Sequence, residues 1–230
     1  MKRVMILVFG MLLFLVAGCQ QNESTEEESA QSNDDTKYED YVYQKYDLDV
    51  NEKVKIGDAN AENSFVLAFD YSCPWCHKWM EEVLPILQEK YLDSGKAYYV
   101  GQPLVLLNQS SLLLSHVDYY IEKNQPHQLY DVQLRMTKEA QNENWGSEEY
   151  AESILKDYGV DISIEELEKN NPDPISLTRH YSKNLGVEFV PTLYVNSIKV
   201  YDAFNLEEIE KILNGEIKEN DVIKVPVVEE

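Results

Sequence analysis

Residues 64–80 read SFVLAFDYSCPWCHKWM, an apolar run that leads directly into two cysteines three positions apart. This junction constrains the fold more than any other stretch. From Ser64 to Phe69 the apolar residues are continuous and the flanks polar, which suits a strand buried on both faces. Pro74 then stands where a helix can start, because its fixed φ fits the first helical position and its missing N–H costs nothing there. Trp79, Val83, Ile86 and Leu87 fall on one helical stripe, which Pro85 is expected to kink. Cys73 is thereby placed at the N-cap, its sulfur within reach of the amides of Trp75 and Cys76 and at the positive end of the helix dipole. Both effects favour the thiolate, so the Cys73 pKa is expected below the free value of about 8.5, while Cys76, one turn deeper, keeps its proton longer. The i, i+3 spacing puts the sulfurs within bridging distance.

Three kinds of chemistry compete for such a pair. As a structural staple it is poor, since so short a loop is worth about 2 kcal/mol against about 4.7 for a 100-residue loop. A structural zinc site needs about four ligands. Cys73, Cys76 and the adjacent His77 supply three, while His116, His127 and His180 lie far off in sequence. A redox couple needs only the two sulfurs, and it is the reading the spacing favours. It calls for no cofactor and no metal.

The rest of the chain alternates element types. KVKI (53–56) reads as an opening strand and AYYVGQPLVLL (97–107) as a second central strand. Helical spacing follows: Leu113, Val117, Tyr120 and Ile121 share a face, as do Tyr150, Ile154 and Tyr158. Leu177, Tyr181 and Leu185 continue the pattern, and Gly186 closes it as a C-terminal cap. PTLYVNSIKVYD (191–202) reads as a hairpin around Asn196-Ser197, and a last helix carries Leu206, Ile209 and Leu213 on one side. The order predicts an α/β domain with an α-helical insertion at about residues 110–175.

At the N-terminus, Lys2 and Arg3 precede an apolar run from Val4 to Ala17, the length of a signal-peptide core and short for a membrane span. The run ends in VAGC (16–19) and resembles the lipobox of bacterial lipoproteins, in which the cysteine is acylated and becomes the first mature residue. Residues 1–18 are read as a signal peptide, 19–45 as a tether lipidated at Cys19, and 46–230 as the folded domain. QQNESTEEESAQSNDDT (20–36) has the composition of a disordered acidic linker, and Tyr38, Tyr41, Tyr43 and Tyr46 are expected to lay the first folded segment onto the domain. The net charge of −22, more negative still once Lys2 and Arg3 are removed, argues against nucleic acid as a partner.

FDYSCPWC (69–76) after a buried strand, the helical insertion, and GVEFVPTLYVN (186–196) together resemble the DsbA-like branch of the thioredoxin-fold disulfide oxidoreductases over roughly residues 50–215. The resemblance implies a thioredoxin fold with an inserted helical domain and a cis-proline at Pro191 beside the redox pair. It makes Cys73 the attacking cysteine and Cys76 the resolving one, gives Pro74, Trp75, Asp70 and His77 a part in tuning the couple, and lets the backbone of Val190 pair with an extended client. Cysteine-containing secreted or surface proteins would be the clients, and a membrane redox partner would reset the pair on the extracytoplasmic face. CPxC and a valine before the proline resemble the oxidases more than the reductases. The alternatives are a reductase or isomerase of the same fold, or a lipoprotein copper metallochaperone using Cys73, Cys76 and His77. One position departs from the family: six residues before Cys73, where a buried acid is usual, stands Leu67, and Asp70 is the nearer acid.

Overall fold

The computed structural model describes residues 37–170 and 173–227. Its centre is β3 (Asn63–Phe69), whose apolar run is buried on both faces as the sequence requires. Phe65, Leu67 and Phe69 face the core that contains both cysteines and Trp79, while Val66 and Ala68 face a second cluster with Val100, Tyr181 and Tyr194. The chain leaves β3 through α1 (Pro74–Glu82), α2 (Leu84–Leu87) and a wide π-helical turn (Gln88–Leu92), and returns parallel to it in β4 (Ala97–Pro103). The expected kink is a full break at Val83, because Pro85 has no amide to continue the helical ladder.

Five helices intervene before the sheet resumes: α3 (Gln109–Asn124), α4 (Leu129–Lys138), α5 (Glu148–Asp157), α6 (Ile164–Asn170) and α7 (Pro174–Asn184). The hairpin follows as β5 (Thr192–Val195) and β6 (Ile198–Lys199), with Asn196 and Ser197 at φ 51° and 68°, the left-handed pair that a two-residue hairpin turn needs. With the short β2 (Ile56–Gly57) the sheet order is β2-β4-β3-β5-β6, β3 pairing parallel with β4 and antiparallel with β5. Helix α8 (Leu206–Leu213) follows the sheet.

Three boundaries differ from the sequence reading, each for a local reason. The strand expected at 53–56 is confined to Ile56–Gly57, the two residues in register with Tyr99 and Tyr98. The strand expected to reach residue 107 ends at Pro103, because beyond Leu104 the amides turn to side chains: Val105 to Thr178 Oγ1, Leu106 and Leu107 to the Asp70 carboxylate. Ordered pairing also begins inside the stretch read as tether. Strand β1 (Tyr38–Val42) forms an antiparallel ribbon with β7 (Val222–Pro226), neither of which the sequence pattern had suggested. Tyr41 packs edge-on against Tyr43 and Tyr201, and Tyr46 against Tyr194, so these three tyrosines seat the segment on the domain, while Tyr38 stays largely exposed. Residues 1–36, with Cys19, lie outside the described residues.

Gly186 ends α7 at φ 67°, and a Cβ there would meet the Tyr46 ring, 2.8 Å from its Cζ. Gly186→Ala is therefore expected to cost about 2 kcal/mol, through a left-handed backbone forced on a residue with a Cβ and through displacement of Tyr46. Urea unfolding of the variant checks this; an unchanged midpoint would contradict it.

Candidate active site

Strand β3 carries the chain out of the sheet at Asp70, and the turn Asp70–Cys73 is closed by the Cys73 amide donating to the Asp70 carbonyl at 3.0 Å. Cys73 is the N-cap of α1, with Pro74 in the first turn. The Cys76 and His77 amides donate to the Cys73 carbonyl at 3.0 and 3.2 Å, leaving the sulfur without a cap hydrogen bond of ordinary geometry. Here the structure corrects the sequence reading: the nearby amides act on the sulfur without a cap bond of ordinary geometry, and the Cys73 sulfur lies 3.5 Å from the Val190 carbonyl. The Val190–Pro191 bond is cis, and both residues line the groove next to the cysteine.

The two cysteines are free thiols, with Cys73 6% exposed and Cys76 fully buried. Their environments drive them apart. The Cys76 thiol donates to the Cys73 sulfur and, outweighing burial, lowers the Cys73 pKa to about 6, with the amides of Cys76 and Trp75 adding to the effect and the Asp70 charge opposing it. Burial, reinforced by the Cys73 sulfur, pushes Cys76 far above the usual thiol range. One cysteine is therefore a thiolate at neutral pH and the other is held as its proton donor.

Asp70 is fully buried, and its carboxylate is occupied by the Ser72 amide and the Ser111 hydroxyl on Oδ1 and by the Leu106 and Leu107 amides on Oδ2. It binds the active-site turn to the segment after β4. His77 points away from the sulfurs: its Nε2 bonds the Tyr71 carbonyl and its ring lies edge-on to Trp145. The three-ligand copper site of Cys73, Cys76 and His77 does not assemble, and among the described residues no group of three metal-binding side chains does. Trp75 is 60% exposed, set edge-on to Phe204 with Lys78 Nζ over its ring. With Phe189, Val190, Pro191, Tyr201 and Phe204 it lines an open groove of about 590 Å³ beside Cys73.

Residues 49–215 match the thioredoxin family. The chain belongs to that family. Among its curated relatives, the probable disulfide bond formation protein D of Bacillus cereus is 23% identical over 170 residues, 71% of this chain and 78% of the relative. Disulfide bond formation protein D of Bacillus subtilis is 20% identical over 171 residues, 71% and 76% of the two chains. The thioredoxin-like fold is shared with the crystal structure of oxidised BdbD from Bacillus subtilis, at a TM-score of 0.66 and 17% identity over 76% of this chain and 98% of that one. It is shared also with the thiol-disulfide exchange protein alpha-DsbA2 of Wolbachia pipientis, at 0.58 and 21% over 73% and 88%.

Two buried acids near the site were not singled out from the sequence. Asp118 on α3 accepts from the Tyr71 hydroxyl at 2.6 Å and from Gln133 Nε2 at 2.8 Å on one oxygen, while the other makes no hydrogen bond to a described residue. Burial raises its pKa from 3.8 to about 7, helped by the neighbouring Glu122 charge and opposed by the Tyr71 and Gln133 hydrogen bonds and by Lys53. It was legible in one respect, since Leu114, Val117, Asp118 and Ile121 share the spacing of the buried stripe. The second, Glu208, lies three residues after the N-cap Asn205, as in a capping box, but its carboxylate reaches Tyr201 and Asp202 instead.

Two outcomes follow from these environments. Alkylation of Cys73 in the reduced protein should reach half its maximal rate near pH 6 while Cys76 stays protected to pH 9; equal labelling of the two would contradict the assigned asymmetry. Because folding raises the Asp118 pKa, its stabilising contribution is full below about pH 4 and is lost as pH rises through 7. Asp118→Asn should therefore gain on the wild type between pH 4 and pH 8, by on the order of 4 kcal/mol, in urea unfolding at stepped pH. Parallel stability curves would show that this carboxyl does not titrate with folding.

Proposed function

We propose that the protein is an extracytoplasmic dithiol oxidase that introduces disulfides into secreted or surface proteins through the Cys73–Cys76 couple. The observation that carries this reading is the placement of Cys73 at the head of α1, 3.5 Å from the Val190 carbonyl and with Cys76 buried behind it, beside a groove that can receive a peptide. The names of the Bacillus relatives, disulfide bond formation protein D, support it. In the oxidised protein a client thiolate attacks Cys73 Sγ, the Cys73–Cys76 bond breaks, and the electron pair leaves on Cys76, which takes up a proton. The client's second thiolate then attacks the client sulfur of the mixed disulfide. Cys73 departs as a thiolate, and the client has been oxidised as the couple is reduced. A good leaving thiolate favours this direction, because stabilising the reduced form makes a dithiol couple more oxidising.

The residues around the couple take distinct parts in this reading. Pro74 starts the helix, and the Trp75 amide supports the Cys73 thiolate. Asp70 fixes the turn, and His77 anchors α1 to the Tyr71 carbonyl. The Val190 carbonyl, 3.5 Å from the Cys73 sulfur, is the backbone group a bound client strand would meet. A membrane redox partner reoxidises the couple. Acylation at Cys19 after removal of residues 1–18 would hold the domain at the outer face of the membrane on an acidic tether. Among the described residues no helix is long and apolar enough to cross a membrane.

Reduction should raise the melting temperature, since for a dithiol oxidant the reduced form is the more stable; 30 mV of potential corresponds to about 1.4 kcal/mol. A fall in melting temperature on reduction would point to a reductase. Cys76→Ser should accumulate mixed disulfides with clients and Cys73→Ser should not. Intact-mass analysis of the membrane-extracted protein should find an acyl group on Cys19, and an unmodified thiol there would overturn the lipoprotein assignment.

A further inference from the structure

The groove beside Cys73 has two walls. One is Phe189–Pro191; the other is the loop after β6, which contributes Tyr201 and Phe204. That second wall is irregular chain, and side chains fix it. Trp79 Nε1 donates to the Ala203 carbonyl at 2.8 Å. The buried Glu208 carboxylate, 5% exposed, accepts from the Tyr201 amide at 2.6 Å and the Asp202 amide at 3.1 Å. Its remaining donor comes from the other end of the chain: the Tyr43 hydroxyl bonds Glu208 Oε1 at 3.0 Å.

Tyr43 is held in turn by the ribbon. Its amide donates to the Asp221 carbonyl at 2.9 Å and its carbonyl accepts from the Asn220 amide at 2.8 Å, directly beside the β1–β7 pairing. The Tyr41 ring of β1 packs edge-on against both Tyr43 and Tyr201, with ring centroids 5.2 and 5.0 Å apart. Both strands of the ribbon, Tyr38–Val42 and Val222–Pro226, lie outside residues 49–215, the part that matches the family. Chain on either side of the family core thus reaches the client groove through the buried Glu208 carboxylate and through the direct Tyr41–Tyr201 ring contact.

We infer that the β1–β7 ribbon sets client preference, with Tyr43 and Glu208 acting as positioning residues that hold the Tyr201–Phe204 wall against Trp75. The inference rests on the thiol–disulfide exchange reading and adds the class of client. Trp75 is 60% and Phe189 57% exposed, and the half-buried Phe204 packs edge-on against Trp75, so the groove offers aromatic faces to a large apolar side chain beside the client cysteine. Neither positioning residue hydrogen-bonds Cys73, whose ionisation is set chiefly by Cys76, burial and the Trp75 amide. They should therefore act on client binding and leave the chemistry of the couple alone.

The test uses the full chain in its oxidised form and three reductants: a peptide with phenylalanine beside its cysteine, the same peptide with serine in that place, and dithiothreitol. The wild type should prefer the phenylalanine peptide through KM. Glu208→Gln sets an amide N–H against a backbone donor and should raise KM for that peptide about five- to tenfold. Tyr43→Phe, which keeps the ring and loses one hydrogen bond, should act in the same direction by about two- to threefold. kcat, the dithiothreitol rate and the Cys73 alkylation midpoint should stay at wild-type values in both. Discrimination retained in both variants would overturn the inference, as would an equal loss of the dithiothreitol rate, which would place the effect on the redox pair. A wild type that reacts with dithiothreitol and with neither peptide would overturn the client reading itself.

Discussion

The coupling between the two cysteine sulfurs, in which the neighbouring Cys76 thiol lowers the Cys73 pKa, is the interaction on which the site depends. Cys76 lies where a charge would be costly, so it keeps its proton and shares it with the neighbouring sulfur, which then carries the negative charge for the pair. The surrounding fold keeps that arrangement in place. β3 ends in the turn that sets Cys73 at the head of α1, Pro74 opens the helix, and Trp79 buries the next turn so that Cys76 cannot reach water. Where the sheet could have placed an acid under the pair stands Leu67, fully buried and in register with Gly101. The buried charge nearest the cysteines in sequence, Asp70, opposes ionisation of both and is occupied by four donors.

The helical insertion and the terminal ribbon serve the same small region from opposite sides. From the insertion, Asp118 holds the Tyr71 hydroxyl two residues before Cys73, and Ser111 holds Asp70. From the ribbon, Tyr43 reaches Glu208 and through it the loop lining the groove. In both cases a buried carboxylate with neutral donors joins distant segments. Such groups are stable only while every donor stays in place, which ties the shape of the groove to the packing of the whole domain.

Much of this was legible in the sequence because the decisive signals are local. The apolar run 64–69, Pro74 at the helix start, the Asn196-Ser197 turn and Gly186 each report a backbone requirement that only a few residue types meet. The cysteine pair and Val190–Pro191 could be brought together through the family resemblance, whereas spacing alone cannot join residues more than a hundred positions apart. Three of the failures are of one kind. The early end of β4, the orientation of His77 and the lack of a cap bond to the Cys73 sulfur all turn on which of several available partners a group chooses, and that is decided by tertiary packing. The β1–β7 ribbon was missed because its register joins the two ends of the chain, and Tyr38–Val42 follows directly on an acidic stretch that masks it.

The central claim is that the protein stabilises the reduced couple by holding Cys73 as a thiolate. Its most direct test is the equilibrium reduction potential of the couple, measured against glutathione at pH 7. Thioredoxin-fold couples range from about −270 mV for a reductant to about −120 mV for a strong oxidant. The account predicts a value well above the thioredoxin figure, toward the oxidising end. A potential at or below about −270 mV would show that the Cys73 thiolate does not favour the reduced form, and would contradict it.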